Sequence, residues 1–557
     1  MKGVYVSATF AVLVRKGGAW LPVIAFCAVV GSGVTLALPV VLGRAIDAVV
    51  AGDGSTARWV VVACGLILLS MLADVGGAFA GAANSAGVTA WLRDRLVRHT
   101  LAVGPRAGRA FDAGDLVSRV SSNATDAAQA GLVTISVATA LLPPAGALVL
   151  LTLIDPWLAL VFLAGLALVG LVLRAFTRQT AAVVSAYQRT QGRLAARLAE
   201  SLVGVRTIAA AGTVEAEERR VLAPLDELRR QGADTWRVLA RSSAQAAVVG
   251  PLVLVAVLAA GGLALADGRI SAGDLFAASR YATIGAGLGS LTGVLGGLAR
   301  ARAGARRAAE VLDTPTVQHG RSAVPDGPGT VEFQGVAARG DDGAALLDGV
   351  DLVLPGGATV AVVGRSGSGK SVLAALAARL RDPDAGRVLL DGVPLPDLDR
   401  AALRTAIGCA FERPVLVGGT VADAVGLGLP RDRVRAAAHA THAHDFVSRL
   451  PEGYDTPLAD APMSGGEAQR LGLARAWHAE RLLVLDDATS SVDTATEVRI
   501  AAALTGSGGG RTRLVVTHRA ATAARADAVV WLAGGRVRAM GRHADLWDDP
   551  EYREVFQ

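Results

Sequence analysis

Six apolar runs fill the N-terminal half of the chain. A strand, a glycine-rich loop and a helix follow, with the loop ending in Lys370-Ser371, and a second apolar strand then closes on Asp486-Asp487. These observations predict an all-α six-helix transmembrane domain followed by an α/β P-loop NTPase domain. The composition agrees: of 557 residues, 52% are hydrophobic and 19% charged, against about 25% charged in globular domains. Disorder is excluded because disordered chains are poor in apolar residues. The 66 glycines follow no period of three, which excludes a collagen-like repeat. Cys27, Cys64 and Cys409 are too few for a disulfide framework and fit no metal-ligand spacing.

Crossing roughly 30 Å of hydrocarbon takes about 20 helical residues. The runs Trp20–Leu42, Trp59–Phe79, Leu132–Ile154, Trp157–Phe176, Ala244–Ala266 and Leu275–Leu298 meet that length. The first starts too far from Met1 and is too long for a signal peptide, and no small-residue cleavage site follows it.

Arginine placement sets the orientation. The connection after the second run carries Arg93, Arg95, Arg98, Arg106, Arg109 and Arg119, and the one after the fourth carries twelve arginines from Arg174 to Arg241. The other connections hold little beyond Arg44, Arg58 and Arg269. The positive-inside rule then puts both termini and the two long connections in the cytoplasm, in a multi-pass protein of the plasma (inner) membrane. The net charge of +6 is accounted for by topology, so no nucleic-acid partner is needed. The basic connections are about 50 and about 70 residues long with helical periodicity, too long for structureless loops. They are expected to continue as helices, to reverse near Gly104-Pro105 and Gly212, and to offer their tips to a soluble domain.

Some polar residues interrupt this pattern. Asp74, Arg280 and Tyr281 lie inside apolar runs, where an ionisable group reads either as part of a translocation pathway or partner-helix contact, or as a water-facing span end. His439, His442 and His444 have a spacing that does not share one helix face, which favours surface histidines over a metal site.

After residue 310 short Val/Leu-rich runs alternate with helix-like segments. Val360–Val363 is followed directly by Gly364-Arg365-Ser366-Gly367-Ser368-Gly369-Lys370-Ser371 and then by a helical Val372–Leu380. This is G-x-x-x-x-G-K-S in its strand–loop–helix context. Backbone N–H groups of such a loop curl around a phosphate, and the helix N-terminus adds positive dipole. Lys370 would reach the β- and γ-phosphates of ATP, and Ser371 would coordinate Mg²⁺. Leu482–Leu485 ends in Asp486-Asp487, a strand delivering a carboxylate to the metal through Asp486. Between them, Met463-Ser464-Gly465-Gly466-Glu467-Ala468-Gln469-Arg470 opens a helix with a second anion-binding start. One P-loop already serves one nucleotide, so this second start implies a nucleotide held by a facing copy or partner.

Together, Gly364–Ser371, Met463–Glu467, Leu482–Asp487, Ser491-Val492-Asp493 and Thr517-His518 resemble the nucleotide-binding domain of an ABC transporter. With six preceding spans and two long cytoplasmic connections, the whole chain resembles an exporter-type half-transporter. Gly114–Arg119 and Glu200–Arg206 resemble coupling-helix surroundings of that family. The resemblance implies domains at 1–310 (transmembrane, with helical extensions), 311–328 (linker) and 329–557 (nucleotide-binding). It implies that Asp493 is the D-loop aspartate contacting the opposite site, and that His518 is the switch histidine at the γ-phosphate. It further implies that Ser464, Gly465, Gly466 and Glu467 act in trans on ATP held by the partner's P-loop.

Four departures from the family pattern stand out. The general base is usually Glu, but Asp487 occupies that position. Its arm is shorter by about 1.5 Å, and general-base catalysis needs a reach of roughly 2.6–3.2 Å. Hydrolysis should therefore slow while ATP binding persists. The Q-loop position holds Glu412 instead of Gln; a carboxylate still ligates Mg²⁺. The adenine-stacking aromatic is missing from Ala337-Ala338-Arg339-Gly340, where Arg339 offers only a planar guanidinium. Thr456–Met463 is about two residues shorter than usual before the signature.

An intact signature and histidine beside an altered base and adenine platform resemble one half of a heterodimeric exporter with a degenerate site. The reading is thus ATP-driven export by two six-span halves, a second ABC half-transporter being the partner, with a heterodimer favoured over a homodimer. The transported substrate is a peptide, a lipid-like molecule or a hydrophobic small molecule. Uptake on the same fold, or a nucleotide-sensing regulatory subunit, are the alternatives.

Overall fold

Apolar helices that continue past the hydrocarbon must change character along their length, and these do. The computed structural model describes residues 2–286, 290–340, 342–506 and 510–557. Helices Thr56–Val103 and Pro156–Val203 each run for 48 residues. At 1.5 Å per residue that is about 72 Å, more than twice the hydrocarbon thickness. The reversals fall at Gly104 and Gly212, both left-handed with φ of 66°. A side chain would be strained there, which is why glycine follows Thr56–Val103 at the first reversal and the short helix Val205–Ala211 at the second. Among the described residues, Trp20–Val50, Thr56–Val103 and Ala113–Ile154 contain windows long and apolar enough to cross a membrane; Pro156–Leu168 and Gly250–Ala266 are shorter apolar segments. The third apolar run is not one smooth helix: Ala130–Ala140 and Leu142–Ile154 meet at Leu141, because Pro143 and Pro144 cannot continue the hydrogen-bond ladder. The sixth run, Leu275–Leu298, includes residues 287–289, which lie outside the described residues.

Contacts divide the chain into two units. The first comprises Met1–Leu101 and Phe111–Thr314. Its core is small-residue rich: Leu151, Leu158 and Phe162 pack with Ala277, Ala278 and Tyr281 in one cluster. Leu92 and Leu96 pack with Ala124, Ala127, Ala305 and Ala308 in another. For the first cluster, which lies within the apolar runs, small residues let helices in hydrocarbon approach closely, since burial from lipid gives little driving force. The closest case is reciprocal. A Cβ built on Gly43 would lie 2.5 Å from the Gly273 carbonyl oxygen, and one on Gly273 would lie 2.1 Å from that of Gly43.

Polar groups tie the ends of these helices. The Asp47 carboxylate accepts from the Ser271 hydroxyl and the Gly273 N–H, both at 2.7 Å. Asp155 caps its helix by accepting from Trp157 N–H at 2.8 Å and pairs with Arg269 at 2.7 Å. Arg119, counted above among the topology arginines, is also a structural cation. It is buried and donates to Asp115 (2.7 Å), Glu310 (2.8 Å) and the Arg307 carbonyl (2.8 Å).

The second unit comprises Pro315–Gln557 together with Ala102–Ala110, the tip of the first connection. Arg106 on that tip donates to Asp382 at 3.0 Å, and the Ala102 carbonyl accepts from Val317 N–H. Its strands are β1 (Val331–Arg339), β2 (Ala345–Leu354), β3 (Thr359–Val363), β4 (Ala385–Leu390), β5 (Val393–Pro394), β6 (Ile407–Phe411), β7 (Leu482–Asp486), β8 (Thr512–Val516), β9 (Ala528–Ala533) and β10 (Arg536–Gly541). One sheet is antiparallel in the order β2-β1-β4-β5, and the other runs β10-β9-β3-β8-β7-β6. In the second sheet β9, β3, β8, β7 and β6 are parallel, with β10 as an antiparallel edge. Val360–Val363 and Leu482–Leu485 are buried on both faces, so they read in sequence as continuous apolar runs instead of alternating ones.

Candidate functional site

Open parallel sheets bind ligands beyond the carboxyl ends of their strands. Four strand ends converge here: β3 leads into Gly364–Ser371, β6 into Glu412, β7 ends in Asp486 with Asp487 after it, and β8 leads to Thr517 and His518. Residues distant in sequence are thereby brought to one edge of the sheet.

The loop after β3 needs its glycines. Gly369 has φ of 98°, and a Cβ there would lie 2.7 Å from the Leu346 carbonyl oxygen. The Lys370 side chain is buried and its ammonium donates to the carbonyls of Gly364 (2.7 Å) and Arg365 (3.0 Å). Burial pushes Lys370 below the ordinary lysine value, while Asp487 and Asp486 oppose that shift. The Ser371 hydroxyl donates to Asp486 at 3.1 Å. Ser368 is buried and its hydroxyl is without a hydrogen-bond partner among the described residues. An orphaned donor and an ammonium on one loop, with a hydroxyl of that loop on the Asp486 carboxylate of β7, suit a phosphate with a divalent cation. Arg365 points the other way, to an ion pair with Glu554 near the C-terminus, and a cavity of about 610 Å³ lies beside Arg365–Ser368 and Trp531.

Asp486 is held above the usual carboxylate range first by burial; the Ser371 hydrogen bond opposes this, and Asp487 and Glu412 add repulsion. Asp487 is raised chiefly by burial, with His518 opposing and Glu412 adding. Its carboxylate lies 3.2 Å from His518 Nε2, and its backbone is left-handed with φ of 49°, a region Asp tolerates better than most side chains. Glu412, Asp487, Thr517 and His518 border one small cavity of about 150 Å³.

The signature segment is built separately. Ser464 caps the helix Gly465–Ala476: its hydroxyl accepts from Glu467 N–H at 3.3 Å, and the Glu467 carboxylate accepts from Ser464 N–H at 2.8 Å. That backbone hydrogen bond is the main reason Glu467 sits below the usual range. Gly466 has a packing reason to lack a side chain, since a Cβ would lie 2.8 Å from the Ser491 carbonyl oxygen. Among the described residues, no hydrogen bond joins Ser464–Glu467 to Gly364–Ser371. Asp493 caps the next helix, accepting from Thr496 N–H at 2.9 Å.

Sequence reasoning quoted Gln469 without giving it a role. Its buried amide donates to the Glu412 carbonyl (2.6 Å) and Ser490 hydroxyl (2.9 Å) and accepts from Ser491 N–H (2.8 Å). It therefore ties the Glu412 loop to the segment preceding Asp493. Arg519 was also missed: it pairs with Glu497 and donates to the Ser490 carbonyl at 2.9 Å, bracing the turn that carries His518. Position next to His518 was the only available signal. Arg339, at the adenine position, has its N–H on Asp384 (2.7 Å) and its guanidinium near the Gly343 carbonyl (3.4 Å).

Two family models match the chain, an ABC transporter transmembrane region over residues 21–285 and an ABC transporter model over residues 347–490. It is 50% identical over 537 residues to the ABC transporter ATP-binding protein RamA of Streptomyces coelicolor, covering 95% of this chain and 84% of that protein. The chain belongs to the ABC transporter family. It is an exporter-type half-transporter, a helical transmembrane domain fused to an ABC ATPase domain, as the sequence leads one to expect. A fatty acid ABC transporter ATP-binding/permease protein of Mycobacterium bovis is 34% identical over 442 residues, 78% of this chain and 70% of that one. Among solved structures, a bacterial Atm1-family ABC exporter with ATP bound has a TM-score of 0.79 at 25% identity, covering 96% of each chain. As a member of this family the transporter is membrane-embedded, works as a dimer, binds ATP in its second domain and couples ATPase activity to transport.

Proposed function

We propose that this half-transporter is the degenerate-site subunit of a heterodimeric exporter in the plasma membrane, with both termini and the nucleotide-binding domain cytoplasmic. Its own P-loop retains ATP, while Ser464–Glu467 complete the site formed on the partner's P-loop. The observation that carries the reading is Asp487, a short carboxylate that already spends its reach on His518 at 3.2 Å. Arg339 in place of an aromatic, tied to Asp384 and the Gly343 carbonyl, adds support.

Lys370 would neutralise phosphate charge, and Ser371, Asp486 and Glu412 would hold Mg²⁺. ATP supplies the phosphoanhydride bond whose cleavage separates the two domains' interface. Asp487 would orient water toward that bond, with His518 at the γ-phosphate. Shared repulsion between Asp486, Asp487 and Glu412 favours a cation among them. Asp493 would contact the opposite site while its capping hydrogen bond fixes its position. The proposed domain limits are 1–310, 311–328 and 329–557. The relative named for fatty acids favours a lipid-like substrate among the three classes considered.

Purifying the chain alone and measuring ATP turnover tests the proposal. Binding of ATP with little turnover is expected. Robust turnover that Asp487→Asn abolishes would sink the heterodimer reading and favour a homodimer.

A further inference from the structure

The transmembrane unit contains a cavity of about 340 Å³ between helices Trp20–Val50, Thr56–Val103 and Ala272–Ala286. Its wall is mostly apolar, with Leu38, Leu42, Ile67, Met71 and Ile284 contributing at helical spacing. Among these side chains stands one permanent cation, Arg280. Five residues into the apolar run that starts at Leu275, it lies about 7.5 Å along the helix from the start of that run, and the residue is exposed in the single half-transporter. Among the described residues its side chain makes no ion pair and no hydrogen bond; Asp74, four residues beyond Ser70 of the cavity wall, does not pair with it. Two other arginines of this unit do have carboxylate partners: buried Arg119 has Asp115 and Glu310, and the exposed Arg269 has Asp155.

A charge at membrane depth is costly, and such residues face a pathway or a partner group. An arginine keeps its charge there, so the group it suits is an anion. The rest of the cavity accepts hydrocarbon. We infer that Arg280 anchors the anionic head of a transported amphiphile, a carboxylate on an acyl chain, whose tail lies against Leu38, Ile67 and Met71. The guanidinium fork matches a carboxylate bidentately, and the Ser70 hydroxyl on the cavity wall offers a further donor. This assignment rests on the export reading and names its substrate class.

The test uses the full chain in phosphatidylcholine nanodiscs, with palmitic acid and its alcohol analogue carrying the same photoreactive group. Labelled peptides are mapped by mass spectrometry, and ATP binding is measured in parallel. The acid should label the peptides containing Ile67–Met71 and Arg280–Ile284 at least about tenfold more than the alcohol, the worth of one charge-assisted contact. Arg280→Gln should reduce the acid to the alcohol's level with ATP binding unchanged, and Arg280→Lys should keep most of the preference. Equal labelling by acid and alcohol overturns the assignment, as does a preference that survives Arg280→Gln. Loss of the preference when phosphatidylglycerol replaces part of the phosphatidylcholine also overturns it, because a resident bilayer lipid then fills the site. Failure of ATP-dependent export in inside-out vesicles, with acid labelling intact, would instead count against the export reading alone.

Discussion

Replacing Asp487 by Glu isolates the proposed defect. The added methylene moves the carboxylate outward by about 1.5 Å, against a hydrogen-bonding window only roughly 0.6 Å wide. The present carboxylate uses its length to meet His518 at 3.2 Å. A general base contributes about 10²–10⁴ in rate. Restoring reach should therefore raise kcat by about 10- to 100-fold, at or below the low end of that span, because the backbone at φ of 49° suits Asp better than Glu. Tenfold corresponds to about 1.4 kcal/mol. The conformational mismatch should cost about 1 kcal/mol of stability, a fall in Tm of about 2–4 °C for a domain of this size. The assay is phosphate release at saturating Mg-ATP, for the chain alone and with its partner, beside a measurement of ATP binding. KM should change little, since neither Lys370 nor the Arg339 region is touched. An unchanged kcat with ATP still bound would refute the argument that arm length limits this site.

Gly273→Ala should damage the membrane unit, because its Cβ would meet the Gly43 carbonyl oxygen at 2.1 Å; overpacking costs about 1–3 kcal/mol, read as a lower Tm in detergent. Gly43→Ala strains the same contact, so the double variant should lose less than the sum. Arg119→Ala leaves Asp115 and Glu310 without their shared cation. Breaking a buried pair costs about 3–5 kcal/mol, and the half-exposed Glu310 lowers this toward about 2 kcal/mol, measurable by denaturant melts. The Glu467 cap gives a pH signature. Its folded-state value is depressed below 4.5 by Ser464 N–H, so its stabilising contribution is present above pH 4.5 and lost as pH falls through the depressed range. Glu467→Gln should flatten that acid-side loss in amide exchange around Ser464–Ala468; an unchanged pH profile would contradict it.

Much of the site could be read because its chemistry is local. A P-loop is one strand, one turn and one helix, so Gly364–Ser371 carries its conformation in consecutive residues, and the two-faced burial of β7 shows as an unbroken Leu482–Leu485 run. Glu412 and Arg339 could be located because they depart from a family pattern at fixed positions. Gln469 and Arg519 could not, because their partners lie 21 to 57 residues away and a polar residue on a helix reads the same whether it is buried or exposed.

The sequence by itself determined the two-part architecture, since hydrocarbon thickness and backbone hydrogen bonding leave long apolar segments no alternative to helix. It also determined which residue types stand at the nucleotide loop. Tertiary structure alone decided which charges are paired. In sequence Arg119 is one of a basic connection and Arg280 a charge inside an apolar run, but neither pattern says that the first meets two carboxylates and the second lines a mostly apolar cavity. Ion pairing depends on distances of a few ångströms between helices, and those are set by close approaches such as Gly43 to Gly273 that no single segment encodes.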